Sequence, residues 1–259
     1  MQAANPRIVG DLVAQLYALE TLQSRFDYYQ KTVCKQGFDA VCFSFEPRNT
    51  FNPELERPPV FEISERFPVG FLKAYKDDGW FQHDFTIREI MQGDLSAKDW
   101  KQKELSGELH DKEKELIQLA REQFGINNAI TIPTMNHTVG IAGASIVSFA
   151  DDEDFTILKQ QQLNTLIHCT RVFNDIIMQH PSHLVKTFVF PNLPGVTKKE
   201  RIVLRDLVRG LPIQKIGAKQ GMNESSVSNH LARLRKKFNV KKTSDLKHLL
   251  VTLNIMDYL

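Results

Sequence analysis

The sequence predicts an α+β protein in two domains: an N-terminal α/β/α sandwich around an antiparallel sheet, then a C-terminal four-helix domain of helix-turn-helix type. Three observations predict it. Apolar, β-branched runs of strand length alternate with helical periodicities through the first two thirds of the chain, the order that places helices on both faces of a sheet. Beyond Pro194 the pattern is helical only, with glycines at helix-turn-helix spacing. Charge divides at the same place. Pro194–Leu259 holds fourteen Lys/Arg and five Asp/Glu, a net +9, whereas the rest of the chain sums to −7.

Residues 8–36 read as two helices, the first led by Ile8, Leu12, Leu16 and Leu19. FDAVCFSFE (38–46) alternates as a strand, with Val41, Phe43 and Phe45 on one face and the smaller Ala40, Cys42 and Ser44 on the other. Residues 59–66 suit a second strand, and helices are expected at 68–78 and 110–124. NAITIP (128–133) and GIAGASIVSFA (140–150) are β-branched enough for strands. A long helix is predicted from Asp152 to Gln179, its inward face including Phe155, Leu158, Leu163, Leu166, Ile167 and Val172. Between 61 and 100 the aromatics crowd together: Phe61, Phe67, Phe71, Tyr75, Trp80, Phe81, Phe85 and Trp100, with Asp84 among them. Two readings stand here, a core with a capping loop acid, or an apolar ligand pocket with one placed carboxylate.

Pro181, Pro191, Pro194 and Gly195 interrupt any helix and mark a linker over 181–194, which leaves domains at 1–180 and 195–259. Thr197-Lys-Lys-Glu200 has the form of a capping box. The helix it opens carries Val203, Leu204, Leu207 and Val208 on one face and stops at Gly210. Pro212 suits the first turn of a short second helix, with Ile213, Ile216 and Gly217 inward. Gly217, Gly221 and Val227 are spaced by four and by six. That places a small residue where two helices touch, a left-handed turn, and a branched apolar plug between the helices. Asn223 is an N-cap for a helix over 224–238 that buries Val227, Leu231, Leu234 and Phe238. Its other face shows Ser225, Ser226, Asn229, His230, Arg233, Lys236 and Lys237. A last helix, capped by Thr243, carries Leu246, Leu249, Leu250 and Leu253. Small polar residues at a helix start and basic ones toward its end suit a major groove of double-stranded DNA. Asn229 and Arg233 match base edges, whereas Lys236, Lys237, Lys241 and Lys242 match phosphates.

Composition bounds the remaining classes. At 42% hydrophobic and 25% charged the chain is not disordered, and 13 Gly with 11 Pro exclude collagen-like or low-complexity sequence. No apolar run approaches the ~18 residues of a membrane helix, so no membrane partner is expected. The N-terminal MQAANPRIVGDLVAQLYALE lacks a basic start and is not read as a secretion signal. Cys34, Cys42 and Cys169 are odd in number and widely spaced, which fits a reducing, cytoplasmic compartment without disulfides. Gly-rich phosphate loops, GxSxG, metal clusters and close carboxylate pairs are all missing, so neither a catalytic set nor a metal site is expected.

The C-terminal run resembles the DNA-binding domain of LuxR-type transcription regulators. Thr197, Glu200, Leu204, Gly210, Ile216, Val227, His230, Lys237, Phe238 and Val240 carry the likeness, while Lys215-Ile216-Gly217 stands where the family often has Glu-Ile-Ala. The resemblance implies a homodimer on a pseudo-palindromic promoter site, with RNA polymerase as a further partner. The N-terminal body is similar to the autoinducer-binding domain that precedes it in quorum-sensing members. Phe71, Tyr75, Asp84, Phe85, Trp100 and Ala129 stand at its scattered Trp, Tyr, Asp, Pro, Trp and Gly positions. By this resemblance Phe67, Phe71, Tyr75, Asp84, Thr86 and Trp100 bind a small-molecule signal, an acyl-homoserine lactone or a related molecule, with no cofactor. Asp84 accepts the ligand amide N–H in this scheme. Phe71 and Phe67 lack the donors that family members direct at ligand oxygens. Each buried acceptor left unpaired costs about 1–3 kcal/mol, and two together weaken a lactone by roughly a hundredfold. The pocket is therefore expected to persist with a different small amphiphile, or with none. The alternative is a ligand-independent regulator whose N-terminal domain serves only dimerisation.

Overall fold

The computed structural model describes residues 2–47, 59–137, 140–179, 195–238 and 240–252. They fall in two compact units, one comprising 2–46 and 59–179, the other 195–252. The linker expected at 181–194, and Leu253, lie outside the described residues.

The first unit opens with helices α1 (Pro6–Ala18) and α2 (Leu22–Cys34), capped by the side chains of Asn5 and Thr21. Strands β1 (Ala40–Pro47) and β2 (Val60–Ile63) follow, then α3 (Val69–Asp77), a 3₁₀ turn at Trp80–His83, and α4 (Phe85–Met91). A two-residue strand β3 (Lys98–Asp99) leads into α5 (Trp100–Ser106) and α6 (Asp111–Phe124). The hairpin strands β4 (Asn128–His137) and β5 (Gly140–Ser148) precede the long helix α7 (Asp152–Met178), which Asp151 caps. Strand order is β2-β1-β5-β4-β3, and the β1–β2, β3–β4 and β4–β5 pairs are antiparallel. A bulge between Pro133 and Met135 shifts the β4–β5 register, at the one place where proline sits comfortably inside a strand.

Helices α1, α2 and α7 pack together on one face of the sheet, and α4 and α5 pack on the other beside α3 and α6, which gives the expected α/β/α layers. The alternation along β1 decides what each layer buries. Phe43 meets the Phe173 ring edge-on at 5.1 Å, and Phe173 stacks on Tyr29 at 4.5 Å. On the opposite face Ala40 and Cys42 join the cluster that holds Phe67, Phe71, Tyr75 and Trp100. On α7, Phe155 and Leu166 are buried as expected, but Leu158, Leu163, Ile167 and Val172 are only half-buried. The face turned inward instead runs through Thr165, Cys169, Thr170, Phe173, Ile176 and Ile177. Its polar members are satisfied locally, the Tyr29 and Thr170 hydroxyls being 2.8 Å apart and Thr165 Oγ1 accepting from the Asn5 amide at 3.0 Å. Among the described residues no helix is long and apolar enough to cross a membrane.

The second unit has helices α8 (Lys198–Val208), α9 (Ile213–Gln220), α10 (Glu224–Lys237) and α11 (Thr243–Thr252). Val203, Leu204, Ile216, Val227, Leu231, Leu234, Phe238, Leu246 and Leu250 form its core. The Thr197–Glu200 capping box is reciprocal, with both bonds present. Pro212 stands at the N-cap of α9 rather than in its first turn. Gly221 takes a left-handed φ of 62°. A Cβ on Gly217 would lie 2.6 Å from the Met222 carbonyl oxygen, so only glycine lets α9 reach the turn in this geometry.

Candidate functional site

The first unit holds a cavity of about 60 Å³ that is partly open to solvent. All six residues expected at a ligand site line it. Phe71 and Tyr75 lie one turn apart on α3, Asp84 is the N-cap of α4, Thr86 stands in that helix's first turn, and Trp100 opens α5. Cys42, Ser44, Phe61, Thr131 and Ser145 complete the wall from the sheet. Of these, Cys42 and Ser44 were legible as the small face of β1. Thr131 and Ser145 are polar residues set in apolar strands, a pattern that marks a polar wall only once the strands are paired.

Asp84 caps α4 and also lines the cavity. Its Oδ1 accepts from the Thr86 amide at 2.8 Å, the capping bond of α4, and from the Thr86 hydroxyl at 2.7 Å. Its Oδ2 accepts from the Tyr75 hydroxyl at 2.7 Å. Burial raises the Asp84 carboxyl above the usual range, and the bonds from Thr86 and Tyr75 only partly offset this. Burial, and then the Asp84 charge, pushes the Tyr75 phenol well up as well. The Trp100 indole donates to Thr131 Oγ1 at 2.9 Å, and Thr131 shares a hydroxyl bond with Ser145 at 3.0 Å. Phe67 and Phe71, their ring centroids 6.4 Å apart, present no polar atom to the cavity.

Ion pairs fix the short elements that carry these groups. Arg88 of α4 grips the buried Glu113 of α6 at 2.6 and 3.0 Å. Glu89 of α4 meets the buried Lys98 at 3.4 Å and Lys103 of α5 at 2.6 Å. Asp84 and Trp100 are thereby held on elements too short to be stable by helix propensity alone.

In the second unit α10 exposes Ser225, Asn229, Arg233 and Lys236, and Lys241 and Lys242 are exposed just beyond it. Three expected contacts sit differently. Ser226 is half-buried and gives its amide to the Asn223 cap at 2.8 Å. His230 is half-buried with Nδ1 enclosed and without a partner among the described residues. Lys237, expected at a phosphate, instead donates to Glu200 Oε2 and to the Gly195 carbonyl, each at 2.7 Å. Glu200 therefore does more than cap α8, because it anchors the end of α10. A second internal pair links α8 to α9, where the buried Asp206 accepts from Lys219 at 2.5 Å and from Gln220 at 2.8 Å.

For Glu200 and Asp206 burial opposes ionisation, but the bonds from Lys237 and Thr197 and from Lys219 and Gln220 outweigh it and lower both carboxyls. A lowered folded-state value contributes stability above the unfolded value and loses it as pH falls through the folded one. Thermal melts of the C-terminal transition are expected to hold their midpoint down to about pH 5 and to fall steeply below about pH 4. A midpoint flat through that window would contradict the two pairs.

The profile of the autoinducer binding domain matches residues 21–171, and that of bacterial regulatory proteins of the luxR family matches 195–250. Among solved structures, Escherichia coli SdiA is 15% identical with a TM-score of 0.56, covering 96% of this chain and 97% of that one. SdiA in complex with octanoyl-rac-glycerol is also 15% identical at 0.56, covering 98% and 97%. The N-acylhomoserine lactone dependent LuxR family transcription factor CepR2 from Burkholderia cenocepacia is 14% identical at 0.48, covering 71% and 94%. No curated protein sequence gives a match. The likeness to SdiA extends over nearly the whole chain and shows a shared fold. With the autoinducer-binding profile spanning more than half of the sequence and the luxR profile its C-terminal domain, the chain belongs to the LuxR-type quorum-sensing transcription regulators.

Proposed function

We propose that this regulator binds a small amphiphile in the aromatic cavity and acts in the cytoplasm as a homodimer on promoter DNA. One observation carries the reading. Phe67, Phe71, Tyr75, Asp84, Thr86 and Trp100, drawn from α3, the start of α4, the start of α5 and the loop before α3, converge on one cavity inside the autoinducer-binding match. A solved SdiA complex holds octanoyl-rac-glycerol, and this chain shares that fold, which supports a ligand of one acyl chain and a compact polar head. Ligand burial orders the first domain and biases dimerisation, so that two C-terminal domains reach half-sites about one helical turn apart. RNA polymerase is a further partner of this reading.

Asp84→Asn keeps an N-cap oxygen but replaces an acceptor with a donor. It is expected to shift the ligand dose-response of promoter activity by at least about tenfold while ligand-free expression and folding stay unchanged. An unaltered curve would remove Asp84 from the site. On DNA, Ser225, Asn229 and Arg233 face the bases and Lys236, Lys241 and Lys242 the phosphates. Arg233→Ala is expected to narrow the gap between operator and random DNA by roughly 1–3 kcal/mol. Lys242→Ala is expected to weaken both alike and reduce the salt slope by about one. Equal effects of both substitutions on both DNAs would remove the base-reading assignment.

A further inference from the structure

We infer that α10 reads the 5-methyl group of one thymine in each half-site through Ala232, in a base pair beside the one that Asn229 meets. This rests on the DNA assignments proposed above and narrows them to a base. Successive side chains turn by about 100° around a helix, which places Asn229, Ala232, Arg233 and Lys236 within roughly 50° of the line opposite the buried stripe of Val227, Leu231 and Leu234. All four are exposed. Ser225 shares that side, but its hydroxyl donates to the Asn223 cap at 2.8 Å and so helps to hold the helix start. Ser228 is exposed on one flank, and Ser226 and His230 are half-buried on the other. The middle of the outward face therefore carries two side chains that can hydrogen-bond base edges, Asn229 and Arg233, and one that cannot, Ala232.

A methyl group neither donates nor accepts, so Ala232 has one partner to choose in a major groove. Thymine alone presents an apolar group there, its C5-methyl, and alanine is among the side chains that pack on it. The size of the residue matters as much as its polarity. A long side chain at 232 would fill the space between α10 and the base edges, whereas a single methyl lets the helix approach until Asn229 and Arg233 reach them. The axial rise from Asn229 to Ala232 is about 4.5 Å, near the step of about 3.4 Å between base pairs, so the two side chains meet neighbouring pairs. Lys236, one turn further on, lies beyond the bases and toward the phosphates.

The test removes one methyl at a time. The full chain, purified from its own host, selects its operator from a random duplex library. Anisotropy titrations then use that operator with each thymine in turn exchanged for deoxyuridine, which lacks only the 5-methyl. One exchange in each half-site is expected to weaken binding about three- to fivefold, the effect of one buried methyl-sized group. That thymine is expected within one base pair of the position at which Asn229→Ala loses its preference. Ala232→Gly is expected to bind the thymine and deoxyuridine operators equally, whereas Asn229→Ala keeps the difference. Each comparison is between two DNAs on one protein, so a loss of helix stability in the glycine variant cancels. Ala232→Gln, a good helix former without the methyl, is expected to lose the dependence too. If no thymine responds, if the responsive one lies several pairs away, or if both Ala232 variants keep the response, the inference is overturned and the DNA reading of α10 stands. A library that yields no preferred sequence overturns both.

Discussion

Gly217→Val is expected to unfold the C-terminal domain and abolish DNA binding, whereas Gly217→Ala leaves it folded but weakened. The reason is one contact. A Cβ at 217 would stand 2.6 Å from the Met222 carbonyl oxygen, and this is backbone that cannot swing aside like a side-chain tip. The same turn is closed by the Gly217 carbonyl accepting the Gly221 and Met222 amides, so pushing Met222 away strains those bonds as well. Alanine regains about 1 kcal/mol of helix propensity over glycine, which offsets part of the strain. Its expected net cost is about 1–2 kcal/mol. Valine adds two methyl groups in a direction already held by Val227, whose Cγ2 lies 3.7 Å from where that Cβ would stand. Overpacking of that kind costs about 3 kcal/mol or more, comparable with the whole stability of so small a domain. Urea melts followed by circular dichroism would show the C-terminal transition lost for valine and shifted for alanine. Equal midpoints for all three proteins would mean that the helices do not touch at 217.

Such features were legible because their chemistry is local. A capping box, a left-handed glycine and a small residue at a helix contact each announce themselves within a few positions. The wall of the cavity was legible as a crowd of aromatics, but its scaffold was not. Helices α4 and α5 have seven residues each and β3 has two, all below the window in which a period shows. Their order comes from the Arg88–Glu113 and Glu89–Lys103 pairs, which join residues distant in sequence. The inward face of α7 was misjudged for a related reason. Hydrophobicity favoured Leu158, Leu163 and Ile167, whereas Thr165, Thr170 and Asn174 are the residues that turn in. Each of the three has a hydrogen-bond partner on another element, and buried polar groups are stable once paired.

Lys237→Met is expected to lower the stability of the C-terminal domain by roughly 2–4 kcal/mol while leaving the salt slope of DNA binding unchanged. Charge alone placed Lys237 with the phosphate contacts, since a lysine at the end of a recognition helix looks the same whether it faces DNA or a carboxylate. Its partner Glu200 is 37 positions away in sequence, and the pair forms only when α10 packs on α8. Glu200 is nearly inaccessible, so removing the cation strands a buried carboxylate that still accepts from the Thr197 amide but has lost its cation. Breaking one side of a buried pair typically costs about 3–5 kcal/mol, and the partial exposure of Lys237 argues for a value at the lower end of that range or just below it. The double variant E200Q/K237M should recover much of the loss, because no charge is then stranded. Acid supplies an independent check. As pH falls through the lowered folded value of Glu200, the wild type loses the contribution of the pair, and its midpoint converges on that of the single variant. A Lys237→Met protein with unchanged melting and a salt slope smaller by about one would return Lys237 to the phosphates.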